Sequence, residues 1–155
     1  MAVLNEQVSL LEYKHLKEVA SKKVLIVATE WNEKIIKEQI AGAKRIAENL
    51  KMELDIHYVP GAIEIPFSIK KLVEKSNYDA VITFGAVIRG GTPHFDYVCK
   101  YVTEGVLALN MQLDIPIIFG VLTLESEKQA WERLGGRLGH KGEEAMIAAA
   151  KMSLL

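Results

Sequence analysis

Four short apolar runs, rich in β-branched residues and separated by longer amphipathic stretches, constrain the fold of this chain most. The runs are Val24–Ala28, Glu53–Val59, Ala80–Phe84 and Pro116–Leu122. Their near-continuous apolar character marks strands covered on both faces. Between them, helical periodicity predicts helices over Asn32–Leu50, Ile63–Lys75 and Phe95–Leu113, and two more follow over Ser126–Leu134 and Lys141–Met152. In the third helix Phe95, Val98, Val102, Val106, Leu109 and Leu113 recur at three- and four-residue spacing and form one buried stripe. Strands that alternate with helices need crossover connections, hence a parallel sheet with helices on both faces. The expected architecture is a three-layer α/β/α sandwich on a four-stranded parallel sheet.

Nothing in the sequence divides this pattern. The 155 residues read as one domain over 1–155, long enough to bury roughly 70% of the unfolded surface. Met1–Ser21 fits no element: it mixes Leu10, Leu11, Tyr13, Leu16 and Val19 with charges, as an extra helix or an arm onto a neighbouring molecule would. A net charge of −1 leaves no electrostatic footprint for nucleic acid or an anionic membrane. No apolar run approaches the ~20 residues that cross a bilayer, and no basic segment with an apolar core begins the chain. The lone cysteine, Cys99, cannot form an internal disulfide and is expected as an inert buried thiol. Cytosol is the expected compartment.

In a parallel sheet of this kind the ligand crevice lies at the carboxyl ends of the strands. That rule gathers Thr29–Asn32, Pro60–Glu64, Gly85–His94 and Thr123–Ser126 at one edge. Within Gly85–Val98 a strand runs into glycines and then a helix start, which builds an anion site from backbone N–H groups and the helix dipole. Thr92 suits the N-cap, Pro93 the first helical position, and Asp96 the first turn. The spacing from Gly85 to Thr92 nearly spells a nucleotide-binding P-loop, but Gly91 stands where its lysine would be.

His94 projects from that helix end. The dipole opposes its cationic form and a bound phosphate favours it, and an imidazole so balanced suits general acid–base work. His15, His57 and His140 read as structural or merely exposed. Arg133, before Gly135-Gly136, either complements a helix end or serves a ligand. Lys141 opens the last helix, where a cation is disfavoured, and so points to a ligand-facing role. Trp31 is a core residue or a stacking platform, and Glu64 a dipole partner or a ligand contact.

Four blocks carry a resemblance to a known family: Pro60-Gly61-Ala62-Ile63-Glu64-Ile65-Pro66, Gly85–Val98, Phe119-Gly120-Val121-Leu122-Thr123, and Glu132-Arg133 with Gly139–Gly142. In order and spacing they resemble the 6,7-dimethyl-8-ribityllumazine synthases, enzymes of the penultimate step of riboflavin biosynthesis, over roughly residues 23–152. The resemblance implies a flavodoxin-like sandwich that condenses 5-amino-6-ribitylaminouracil with 3,4-dihydroxy-2-butanone 4-phosphate. It implies neither metal nor organic cofactor. It implies Trp31 stacking on the pyrimidine, Ala62, Ile63 and Glu64 on the ribityl chain, and Ala86, Val87 and Ile88 offering backbone contacts to the uracil. Gly91 and Thr92 match the phosphate cradle and His94 the proton-transfer residue. Phe119 and Lys141 on the pyrimidine side, and Arg133 on the phosphate, match residues supplied by an adjacent subunit. Pentameric rings, icosahedral shells of pentamers and riboflavin synthase as a partner are further implications. The short Gly135–Gly142 linker is like that of shell-forming members.

Three residues depart from the family's pattern: Glu30 where many bacterial members have arginine, Trp31 where most have phenylalanine, and His140 where asparagine is usual. Two rival readings remain open from sequence. One is a flavin- or nucleotide-binding module of the same fold, and the other a catalytically silent shell-forming protein.

Overall fold

The computed structural model describes residues 12–155. Its main sheet has four parallel strands in the order β2-β1-β3-β4: β1 Lys23–Thr29, β2 Glu53–Val59, β3 Ala80–Ile88 and β4 Ile117–Leu124. Helices α1 (Glu33–Leu50) and α5 (Lys141–Met152) share one apolar cluster with Val24, Ile26 and Ala28 of β1. Helices α2 (Ile65–Val73) and α3 (His94–Gln112) share the other with Leu25 and Val27. Successive β1 residues thus enter opposite cores, which is why that strand carries no polar alternation. The expected three-layer sandwich is present.

Strand β3 runs four residues past its expected end, so Gly85–Ile88 is strand rather than loop. Its extension pairs with β4 from Gly85↔Val121 to Ile88↔Leu124. A Cβ on Gly85 would stand 3.3 Å from Thr29 Cγ2 and 3.4 Å from Val121 Cγ1. Glycine there serves close packing between strands, not a phosphate-binding turn. The near-match to a P-loop dissolves, and the loop shortens to residues 89–93.

The fourth expected helix also ends early. Helix α4 spans Glu127–Glu132, and the chain then forms an antiparallel hairpin of β5 (Leu134–Gly136) and β6 (Gly139–His140). Gly135 and Gly139 adopt φ of 102° and 77°, a region other residues rarely enter. The linker read as Gly135–Gly142 is therefore this hairpin and the start of α5.

Of the N-terminal segment, residues 12–21 contain a single 3-10 turn, Lys17–Val19, and no α-helix. Leu16 and Val19 are buried beside α1. The rest of the expected arm lies outside the described residues. Among the described residues, no helix is long and apolar enough to cross a membrane.

Candidate functional site

Three strand ends open into one cleft of about 410 Å³. Trp31 reaches it from the β1–α1 connection, and Ala62, Ile63 and Glu64 from the 3-10 turn that follows β2. Ala86, Val87 and Ile88 line it from β3, and His94 from the first residue of α3. Eight sequence-predicted site residues therefore meet at the carboxyl edge of the sheet, where the topology places a ligand. A slightly larger concavity, about 470 Å³, opens at the opposite end among Tyr78, Asn110, Asp114, Pro116 and Leu155. It contains no predicted site residue, and the Asn110 amide is spent on both backbone groups of Ile117.

The cleft walls are held by short polar contacts. Asn32, in the left-handed conformation at φ 60°, donates from Nδ2 to Ala86 O at 2.8 Å and so ties the Trp31 connection to β3. Thr29 Oγ1 donates to Trp31 O at 3.2 Å. Sequence reasoning passed over both residues as site-builders, although an asparagine directly before a helix is among the few residues that tolerate this backbone. The Trp31 ring is 74% exposed at the cleft mouth, which excludes the core reading. A Cβ on Gly61 would sit 3.2 Å from Glu64 Oε2, so glycine leaves that carboxylate its place.

Beside the cleft, the loop of residues 89–93 leads into α3. The helix begins at His94, so Pro93 stands at its N-cap rather than the expected Thr92, and no side chain caps it; Thr92 Oγ1 accepts from His94 N–H at 3.4 Å one residue earlier. Gly91 and Thr92 are exposed and adjoin the cleft without lining it. Arg89 brackets the loop. Its Nε donates to Glu125 at 2.9 and 3.2 Å, its Nη atoms donate to Asp96 at 3.0 and 3.3 Å, and its guanidinium lies 4.1 Å over the Phe95 ring. Cys99, one turn on, is half-buried rather than buried, and burial pushes its thiol up, away from the reactive thiolate.

Phe119, Arg133 and Lys141 are not in this cleft. Phe119 on β4 pairs with Thr83 of β3, four residues back from Val87 along the ladder, roughly 13 Å at ~3.3 Å per residue. It is 42% exposed on an edge strand. Arg133 donates to Gln129 O at 3.0 Å, and its carbonyl accepts from Lys141 N–H at 2.8 Å. Lys141 Nζ pairs with Glu144 at 2.6 Å.

His140 lies between these two residues in the fold, paired with Leu134 in the hairpin and directly before Lys141. Its Nδ1 accepts from Glu143 N–H at 3.4 Å and caps α5, which leaves the ring proton on Nε2, 3.1 Å from Glu38 Oε1 on α1. It is buried and structural, as read from sequence, and His15 and His57 are exposed.

An exposed aromatic ring, a carboxylate and an imidazole at a helix start share one strand-end cleft, and a glycine loop adjoins it. The family model described as 6,7-dimethyl-8-ribityllumazine synthase matches residues 21–155. The chain belongs to that family. A curated relative, the 6,7-dimethyl-8-ribityllumazine synthase of Parabacteroides distasonis, is 41% identical over 155 residues, covering 98% of this chain and 97% of its own. Near-complete coverage in both directions leaves no large part of the relative without a counterpart. Within this lumazine synthase framework the rival readings lose ground. A nucleotide module of the P-loop kind would need Gly85 in a phosphate loop, and Gly85 is in a strand.

Proposed function

We propose that this chain condenses 5-amino-6-ribitylaminouracil with 3,4-dihydroxy-2-butanone 4-phosphate to give 6,7-dimethyl-8-ribityllumazine, phosphate and water. The observation that carries the reading is the single cleft shared by Trp31, Glu64, the β3 backbone and His94. Trp31 offers a flat face to the pyrimidine, the Ala86–Ile88 strand end offers backbone groups to its ring, and Ala62, Ile63 and Glu64 face the ribityl chain. The phosphate sits at Gly91, Thr92 and the start of α3. A Cβ on Gly90 or Gly91 would meet nothing within 4 Å, and neither residue has positive φ, so the fold itself does not demand glycine there. Room for a ligand does.

The chemistry needs protons moved near neutral pH. The amine attacks the ketone, water leaves, phosphate is eliminated, and the second carbonyl closes the ring with loss of another water. His94 carries protons between these steps, and the cleft supplies alignment of two substrates, worth up to about 7–11 kcal/mol. No step calls for a metal or an organic cofactor.

The site is completed between subunits, with Phe119, Arg133 and Lys141 contributed by a neighbour in a pentameric ring. The exposure of Tyr97, Tyr101 and Met111 along α3, and of Phe119 on edge strand β4, supports an apolar surface that another copy covers. The short hairpin before α5 fits members that stack such rings into icosahedral shells. A cytoplasmic protein that passes its product to riboflavin synthase fits the same reading.

Turnover tests it: both substrates with purified protein should yield the lumazine and one phosphate per product. His94→Ala should keep the fold and lose kcat at or below the low end of roughly 10²–10⁴-fold. Absence of product from folded, assembled wild type would reject the reading.

A further inference from the structure

Arg89 is a charged residue beside the site to which the reaction assigns no role. It leaves β3 directly before the glycine pair, and its backbone N–H donates to Leu124 O at 2.8 Å. One guanidinium joins Glu125 at the end of β4 to Asp96 in the first turn of α3, with Phe95 beneath it. The phosphate loop runs from β3 into α3, and Arg89 fastens both of its ends, to α3 through Asp96 and to the neighbouring strand β4 through Leu124 and Glu125. Such a planar fork suits arginine and is poorly reproduced by lysine.

The electrostatic consequence matters more than the mechanical one. Asp96 and Glu125 place two carboxylates against the helix start that would receive a phosphate, and uncompensated they would repel it. Arg89 sits on both, so its one positive charge offsets half of the negative charge that the pair presents to the loop. With both carboxylates on its fork, Arg89 is also poorly placed to act as a phosphate ligand itself.

We propose that Arg89 is a positioning residue that screens Asp96 and Glu125 from the phosphate-bearing substrate and fixes the loop that holds it. This rests on the reading of residues 90–94 as the phosphate site. The sign of the effect distinguishes screening from direct binding. Arg89→Met should raise KM for the butanone phosphate about tenfold at low ionic strength, with the pyrimidine KM nearly unchanged, and added salt should shrink the effect. Adding Asp96→Asn and Glu125→Gln to Arg89→Met should restore KM to within about threefold of wild type. Direct binding by Arg89 predicts no restoration in that triple variant, and this result would overturn the proposal. So would a fall in kcat with both KM values unmoved.

If Arg89→Met fails to fold, the Asp96→Asn/Glu125→Gln variant, which keeps Arg89, carries the test. Its KM for the phosphate substrate should fall below wild type, and a rise would overturn the proposal. Inorganic phosphate, tested as a competitive inhibitor against the butanone phosphate, separates the two failures. No competition in wild type rejects the phosphate site itself, whereas equal competition in wild type and Arg89→Met rejects only the role of Arg89.

Discussion

Truncating Trp31 separates ligand binding from folding more cleanly than any other change in this molecule. Its backbone is held by Thr29 Oγ1 and by the N–H donated to Pro60 O at 3.4 Å, so Trp31→Ala leaves the connection's path intact. The side chain is 74% exposed, which leaves roughly a quarter of a ~200 Å² ring in contact with the protein, worth at most about 1.3 kcal/mol at ~25 cal/mol per Å². A core tryptophan would cost about 3–5 kcal/mol. Tm should therefore fall by no more than about 4 °C. The lost stacking face should cost about 1–3 kcal/mol in pyrimidine binding, a rise in Kd of roughly 5- to 160-fold. Titration calorimetry with the pyrimidine substrate measures it, and Trp31→Phe should recover most of the loss. In a Trp131→Phe background, fluorescence of the remaining Trp31 should be quenched on binding. Normal pyrimidine affinity in a Trp31→Ala protein whose Tm has dropped by ten degrees or more would refute the reasoning.

Arg133→Ala should raise KM for the butanone phosphate by roughly 10- to 150-fold, the loss of about 1.5–3 kcal/mol for a charge-assisted contact, and leave the pyrimidine KM nearly unchanged. His140→Ala removes the α5 cap, the Glu38 contact and a buried ring together, and should lower unfolding free energy by about 2–4 kcal/mol in urea titrations. His140→Asn, which keeps a capping acceptor, should recover about 1 kcal/mol of that loss. Burial raises the Asp79 carboxyl, but Lys23 N–H at 2.8 Å and Lys22 Nζ at 3.0 Å outweigh it and hold the group below its ordinary value. The resulting stability is complete above the unfolded value of about 3.9 and disappears as pH falls through the depressed one. Asp79→Asn should accordingly flatten acid unfolding in that window.

The sandwich was legible because strands covered on both faces, like β1, announce themselves as unbroken apolar runs. The end of β3 was not legible: Gly85 reads as a loop residue, and its need for space between Thr29 and Val121 exists only once three strands are assembled. The β5–β6 hairpin is too short for periodicity to register: its strands are three and two residues long. Trp31, Glu64 and His94 could be placed because each stands just after a strand or opens a helix, and topology then brings those points together. Arg89 could not, since its two partners lie 7 and 36 residues away and their convergence depends on how β3, β4 and α3 end. Phe119, Arg133 and Lys141 carry a different difficulty. Their roles were implied by family resemblance, and in a single chain nothing brings them to the cleft.

A pocket shared between subunits would reunite these residues, and a mixture of two mutants tests for it directly. If each pocket takes His94 from one subunit and Arg133 from its neighbour, the ring contact is heterologous and head-to-tail. Equal amounts of His94→Ala and Arg133→Ala chains, dissociated and co-assembled, would then rebuild intact pockets. Each needs its His94 side from an Arg133→Ala chain and its Arg133 side from a His94→Ala chain, so random mixing makes about a quarter of pockets wild type. Turnover is measured at low butanone phosphate, where the Arg133 defect is largest, on rings verified as mixed by native mass spectrometry. A shared pocket should give activity near a quarter of wild type, well above either mutant alone. Activity equal to the mean of the two mutant rings would place both residues in one chain's pocket and contradict it.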